Sequence, residues 1–325
     1  MNEKYMEVLE RYDLTADSVR RGRSGWICQT GQGMVLLKEY RGTQKRLEFE
    51  TQVLEQVGQT GGIRVDDYLR TADGQLWAAG EDGTRYVLKH WFADRECSLR
   101  DRSEALSAVR RIAVLHKALQ AIPEDPEWNL GSIRTEPLWR EMERHSLEIK
   151  RARGYIRGKK RRNEFEFCIM NNYQRFYEQA VQACEGMKRL NRPEAHAPLF
   201  LCHGNLDHHH ILMGTGYTAF IEFHKMHLGE PMADLYHFMR KVLEKHSWDL
   251  ELGLAMLEAY DRVLPLGKRD RDCLYCLFLY PEKYWKQINF YFNGKKNWIS
   301  ARNIEKIHGL ELQEAGRNRF LSKIK

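Results

Sequence analysis

The sequence predicts an α+β chain in two lobes, a strand-rich one over residues 1–92 and a helical one over residues 93–325. Three observations carry this. A chain of 325 residues exceeds what one hydrophobic core organises and suits two packed bodies. Before residue 92 the apolar runs are short, rich in β-branched and aromatic residues, and separated by glycine turns, which is strand chemistry. Beyond it, apolar residues recur every three or four positions over long stretches, which is helix chemistry.

Residues 1–12 are charged and helix-like. Residues 25–30 and 34–38 flank Gly31-Gln32-Gly33 and read as a hairpin. A helix follows, with Phe49, Val53, Leu54 and Val57 at helical spacing and Gly58, Gly61 and Gly62 beyond its end. Two more strands bracket the turn at Asp73-Gly74, and a fifth runs over residues 85–91. The lobe joint is placed at residues 92–96. Next, Leu106, Val109, Ile112, Ala113, Leu115 and Leu119 form one apolar stripe on a long helix. Residues 136–150 and 163–190 are helical by period. Phe200-Leu201-Cys202, Ile211-Leu212-Met213 and residues 219–223 are short strands, the last two joined by Gly214-Thr215-Gly216. From Met232 to the end the chain reads as mostly helical.

Bulk properties exclude several classes. A hydrophobic content of 42% with 30% charged residues describes a globular chain, not a disordered one. No run nears the roughly 18 apolar residues of a membrane span. The first residues lack the apolar core of an export signal, so export is not expected. Seven scattered cysteines, an odd number, fit a reducing cytosol better than a disulfide framework. The net charge of +7 is partly local, because residues 150–162 hold eight Lys/Arg and no acid. That run reads as a solvated helix end or loop, or as a docking patch for an acidic partner or phosphate. Nucleic acid is not expected, since no recognition motif accompanies it.

The chemistry lies in three linked motifs. Phosphoryl transfer is mostly positioning and charge neutralisation, and it needs few parts. These are a strand lysine for the nucleotide phosphates, a helix glutamate to hold it, a catalytic-loop aspartate, an asparagine after it, and a metal-binding aspartate on the next hairpin. Lys38 ends an apolar strand, and Glu50 opens the following helix, so these two are the candidate nucleotide-binding pair. Residues 201–212 carry His203-Gly204-Asn205, then His210-Ile211-Leu212, and resemble the phosphotransferase pattern H-G-D-x-x-x-x-N followed by two apolar residues. Ile221-Glu222-Phe223 resembles its metal-binding I-D-F strand, and Gly229, Pro231, Asp234 and Leu235 resemble the G-x-P-x-x-D-L after it. His203 and Asp234 are then structural residues.

The polar identities depart from that pattern. Asn205 stands where the base aspartate belongs, and an amide accepts no proton at neutral pH. His210 replaces the metal asparagine, although magnesium prefers hard oxygen ligands. Glu222 keeps a carboxylate at the metal position but adds a methylene. Asp207 is the possible substitute carboxylate. Misplacements of this size cost about 10²-fold each. A G-x-G-x-x-G loop is absent, with only Gly22, Gly25, Gly31 and Gly33 in that region.

The match widens beyond the site. Tyr86-Val87-Leu88-Lys89-His90-Trp91 through Arg95-Glu96, Leu115-His116, and Phe165 with Tyr173, Phe176 and Ala183 resemble the CotS-type spore-coat proteins. So do Pro281-Glu282-Lys283-Tyr284-Trp285, Lys295-Lys296-Asn297-Trp298-Ile299, Arg302-Asn303 and Glu305-Lys306 near the C-terminus. The resemblance spans roughly residues 20–320. It implies a two-lobed protein-kinase-like, aminoglycoside-phosphotransferase-like fold and a link to the endospore coat. It also implies action from the mother-cell cytoplasm and then the coat, with other coat proteins as partners and neither nucleic acid nor membrane. ATP and magnesium are the cofactors such a fold implies, with an unnamed small-molecule substrate. Three functions stay open: a noncatalytic scaffold, a working ATP-dependent phosphotransferase acting on a small-molecule or protein hydroxyl, and a nucleotide or metal sensor without turnover.

Other clusters read more plainly. Six of the thirteen histidines fall within residues 203–227. Zinc needs three or four ligands converging, and the adjacent His208, His209 and His210 are expected to diverge. Cys273-Leu274-Tyr275-Cys276 sits in an apolar helical run and reads as core. The tail aromatics Tyr284, Trp285, Phe290, Tyr291, Phe292 and Trp298 are expected to pack the helical lobe, any exposed ones marking a protein interface.

Overall fold

A computed structural model of the chain describes residues 3–125, 128, 131, 133–192, 198–294 and 301–325. The Lys295-Lys296-Asn297-Trp298-Ile299 signature lies outside the described residues. Two compact units emerge, each assembled from two stretches: Met1–Arg134 with Phe200–Leu228, and Thr135–Leu199 with Gly229–Lys325.

The first unit holds a five-stranded antiparallel sheet in the order β1 (Ala16–Arg21), β2 (Trp26–Thr30), β3 (Gly33–Glu39), β6 (Arg85–His90) and β5 (Ala78–Ala79). The expected hairpin is β2–β3, with Trp26 opposite Leu37, closing at Gly33 with φ 115°. Strand β1 was not anticipated, because its sequence Ala-Asp-Ser-Val-Arg-Arg has no apolar run and is mostly exposed. Helix α1 (Glu3–Glu10) buries Val8 and Leu9 in one cluster with Cys28, Val35, Leu37 and Leu88 of the sheet. Helix α2 (Gln44–Gly58) starts where the Thr43 hydroxyl accepts the Arg46 N–H, and its buried face is Leu47, Phe49, Val53, Leu54 and Val57.

The two strands expected around Asp73-Gly74 shrink to a turn between β4 (Ile63–Val65) and the two-residue β5. Thr71 and Gly74 make the turn bonds there. Asp66 and Tyr68 commit their side chains to a buried polar cluster, and pairing with β6 narrows here to a single antiparallel bridge, Tyr68 to Lys89.

A second sheet has the order β4, β10 (Thr218–Phe220), β9 (Ile211–Met213), β7 (Arg95–Glu96), with β4 and β10 parallel and the other pairs antiparallel. Strands β8 (Phe200–Cys202) and β11 (His227–Gly229) pair alongside. Helix α3 (Arg102–Gln120) is capped by Asp101, which accepts the Ser103 and Glu104 N–H groups, and it buries Val109, Ile112, Ala113, Leu115 and Leu119 of the predicted stripe, with Leu106 only half-buried. The strand expected over residues 219–223 stops at Phe220, and a single 3-10 turn covers Phe223–Lys225.

The second unit is helical: α4 (Leu138–Gly158), α5 (Glu164–Leu190), α6 (Pro231–Lys245), α7 (Leu250–Asp261), α8 (Lys268–Leu279), α9 (Glu282–Asn293) and α10 (Ala301–Ile324). Helix α4 runs eight residues past the expected end, since Ala152 and Ile156 continue its buried stripe through the basic run. Helix α5 begins with a capping box in which Asn163 and Glu166 satisfy each other's backbone N–H groups, and Lys159 adds an ion pair to Glu166 at 2.7 Å. Cys273 and Cys276 are buried in α8, and burial pushes the Cys276 thiol up to about 11. Tyr284 and Tyr291 are buried, whereas Phe290 is 62% exposed and Trp298 lies outside the described residues.

His145 on α4 stacks on Trp285 of α9 with ring centroids 3.4 Å apart. Burial pulls its pKa down to about 4, against the nearby Glu148, which acts upward. The unfolded chain therefore binds a proton near pH 6.5 that the folded chain refuses until about pH 4. This contribution is full above pH 6.5 and shrinks as pH falls toward 4. The expected loss is about 2–3 kcal/mol over that window. Urea midpoints across pH 4–7 check it: the wild type should fall relative to His145→Phe, which keeps the stack without titrating, and parallel curves would refute it.

Candidate functional site

The loop between β8 and β9 is built around His203, which is fully buried. Its Nδ1 accepts the Asn205 N–H at 3.2 Å and its Nε2 donates to the Ile221 carbonyl at 3.0 Å, so one neutral tautomer serves both bonds. Its ring also packs on Phe223. Gly204 has φ +78°, and a Cβ there would lie 2.2 Å from the Lys225 carbonyl oxygen. Asn205 is thus held by its own backbone N–H. Asp207 caps the 3-10 turn His208–His210 by accepting the His209 N–H at 2.9 Å, and His210 Nδ1 lies 3.0 Å from the same carboxylate.

Glu222 follows β10 in a left-handed conformation, φ 70° and ψ 52°, which costs a non-glycine residue about 1–2 kcal/mol. Its N–H donates to Asp66 Oδ2 at 2.9 Å, which holds that conformation. Its Oε2 receives Lys38 Nζ at 2.6 Å and lies 3.2 Å from His224 Nδ1, while Oε1 is buried without a hydrogen-bond partner. Burial acts to raise the Glu222 pKa, but the His224 hydrogen bond, the charge and hydrogen bond of Lys38, and a hydrogen bond from Ser24 outweigh it. The carboxyl is held far below the usual range and stays ionised at any ordinary pH.

Lys38 and Glu222 are therefore brought together. Lys38 and Glu50 are not joined as expected, because both Glu50 oxygens are engaged elsewhere: Oε1 by Arg46 Nε at 2.5 Å and Oε2 by the Tyr68 hydroxyl at 2.6 Å. Arg46 also donates to the Met226 and His224 carbonyls, tying α2 to the segment after Glu222. An arginine one turn before Glu50 reaches it at i,i+4 on the same helix, which a strand lysine has to compete with. Asp234 lies in the second unit, buried in the first turn of α6.

Sequence reasoning missed two groups. The first is the buried ion pair Asp66–Lys89, with Nζ 2.8 Å from Oδ2 and side chains 0% and 5% exposed. Burial raises the Asp66 pKa, opposed by Lys89. Its signal was a lysine inside the apolar run Tyr86-Val87-Leu88-Lys89. The second is the turn between β1 and β2, Arg20-Arg21-Gly22-Arg23-Ser24-Gly25, where three arginines and two glycines share six positions. These arginines line a pocket of about 670 Å³ with Lys38, His210 and Glu222. Asn205 and Asp207 are not among its lining side chains. The arginine side chains at this turn offer several cationic groups to an anion, in a pocket within the size range of ligand clefts.

Comparison with known proteins agrees with this architecture. A family model described as "Spore coat putative kinase YutH" matches residues 6–324. Spore coat protein S of Bacillus subtilis (strain 168) is 22% identical over 330 residues, covering 98% of this chain and 93% of its own. The crystal structure of an aminoglycoside phosphotransferase from Alicyclobacillus acidocaldarius is similar with a TM-score of 0.84 at 13% identity, over 98% of this chain and 94% of its own. Spectinomycin phosphotransferase APH(9)-Ia, in complex with ADP and spectinomycin, has a TM-score of 0.65 at 12% identity, over 97% of each chain. At such identities the likeness to the solved structures shows the fold, and that fold is the kinase-like one expected from the loop motifs.

Proposed function

The chain belongs to the YutH family of spore-coat kinase-like proteins, and from that premise we propose that it is a pseudokinase scaffold whose cleft has kept a place for phosphate and lost the means to transfer it. The observation that carries this reading is the Lys38–Glu222 ion pair at 2.6 Å. The group meant for nucleotide phosphate and the group meant for metal neutralise each other, while an amide, Asn205, stands at the base position.

The residues present suit the two halves of a magnesium–nucleotide complex unequally. The arginine-lined pocket fits phosphate. Magnesium asks for a near-octahedral shell of oxygens. Here Glu222 is bound to Lys38, His210 offers nitrogen, and Asp207 caps its own turn. That donor set does not fit magnesium. On this reading residues 1–92 act as the N-lobe, and the altered loop, although it falls within residues 93–325, packs into the same compact unit as that lobe. The partners are other coat proteins, met first in the mother-cell cytoplasm and then in the coat.

The test is direct. The purified full chain should show no magnesium-dependent transfer from ATP above the protein-free background. Any thermal stabilisation by ATP should survive chelation of divalent cations and vanish in Lys38→Ala. Turnover at about 1 s⁻¹ or faster, the ordinary range for kinases, would overturn the reading. The retained carboxylate of Glu222, with its unpartnered Oε1, favours the alternative of an active ATP-dependent phosphotransferase on a small-molecule or protein hydroxyl, and the same assay decides between them.

A further inference from the structure

We propose that Glu96, His208 and His209 form a binding site for a borderline-soft divalent transition metal, of which zinc is the type. Each residue offers one ligand atom, and the three atoms lie within 4.8 Å of one another. None of the three belongs to the phosphotransfer pattern, and the inference stands whether or not the chain moves phosphate.

Adjacent histidines diverge on an extended chain. Here Asp207 folds them into a capped 3-10 turn, so the His208 and His209 rings sit side by side with centroids 3.7 Å apart. Strand β7 supplies the third ligand. Glu96 stands opposite Leu212 in the β7–β9 ladder, and the Cys97 N–H bonds to the Ile211 carbonyl, the residue directly after the turn. Both ligand-bearing segments are thus fixed by one sheet. Glu96 Oε2 already lies 2.6 Å from His209 Nδ1.

The chemistry selects the metal. Two imidazoles and a carboxylate are the donor set of three-ligand zinc sites, and they suit calcium and magnesium poorly. Ligand atoms around tetrahedral zinc stand about 3.3 Å apart, so the widest separation in the trio, at most 4.8 Å, closes by no more than about 1.5 Å while the 2.6 Å Glu96–His209 contact opens slightly, both within reach of side-chain rotation. All three residues are half-buried, so an ion can reach them from solvent. Arg23 contacts the other oxygen of Glu96, Oε1, at 3.0 Å, and its exposed guanidinium competes only weakly for the carboxylate.

The experiment titrates the full-length chain, freed of any polyhistidine tag, with zinc chloride by calorimetry, and with cobalt(II) followed by visible absorption. One equivalent of zinc should bind, and cobalt should give the intense bands of a tetrahedral nitrogen–oxygen site. His209→Gln and Glu96→Gln should each weaken binding by about 10-fold or more, whereas His227→Gln should leave it unchanged. Arg23→Ala keeps all three ligands and frees Glu96, so it should tighten binding even if the ligand variants fold poorly. Absence of saturable binding would overturn the proposal. So would an affinity that neither Glu96→Gln nor His209→Gln alters, or one that Arg23→Ala weakens.

Discussion

Asp66→Ala should destabilise the chain by about 3–5 kcal/mol, the cost of stranding a buried charge. Asp66 is fully buried and Lys89 is 5% exposed, so the ammonium left behind has little water to turn to. The same substitution removes the acceptor for the Glu222 N–H and releases a left-handed residue from its tether. Lys89 would keep its place over the Tyr68 ring, 4.5 Å from the centroid, which softens the loss without replacing the partner. The double variant Asp66→Ala, Lys89→Met should recover most of the stability, because a buried ion pair replaced on both sides by apolar groups is often nearly neutral. Urea unfolding of the three proteins measures this. A loss below about 1 kcal/mol in the single variant, or no recovery in the double, would show that the pair does not organise the site.

The second large effect lies at Gly204. An alanine there would place its Cβ 2.2 Å from the Lys225 carbonyl oxygen and 2.7 Å from His227 Nδ1, at φ +78°. The left-handed backbone alone costs about 1–2 kcal/mol. The clash is with backbone that also carries the turn after Glu222, so it cannot be relieved by turning a side chain. A total near 3 kcal/mol follows. Gly216→Ala is the matched control. It has φ +80° but nothing within 4 Å, so it should cost only the conformational part. Unfolding midpoints of the two variants separate close approach from backbone strain. Equal losses would mean that the loop accommodates the methyl group.

Much of this molecule was legible because local patterns agree with tertiary placement. Gly31-Gln32-Gly33 between two apolar runs yields the β2–β3 hairpin, and the stripe from Leu106 to Leu119 yields α3. The loop from His203 and the Ile221-Glu222-Phe223 run were recognisable by order and spacing, and the structure sets Lys38 against Glu222. What stayed hidden depends on partners distant in sequence or on backbone twist. Lys89 stands out inside an apolar run, but nothing in the sequence names Asp66 as its partner until strands bring them together. Glu50 was matched to the wrong cation, because the helix places Arg46 one turn away. The basic run over residues 150–162 read as a helix end or loop, or as a docking patch, yet Ala152 and Ile156 within it were already at the right interval to continue α4. His208 and His209 were judged divergent on extended-chain geometry, which the Asp207 cap removes.

The parallel pairing of β4 with β10 has a further consequence, for how the chain is made. Asp66 and the Glu222 N–H it holds are 156 residues apart. At roughly 5–20 residues per second, a ribosome needs on the order of ten seconds or more to deliver the second after the first. Throughout that interval β4 lacks its neighbour in the sheet, and the emerging N-terminal stretch is an unfinished body with an open edge. Vectorial synthesis therefore leaves the first unit waiting on its second stretch, Phe200–Leu228, while α4 and α5 of the other unit leave the tunnel in between.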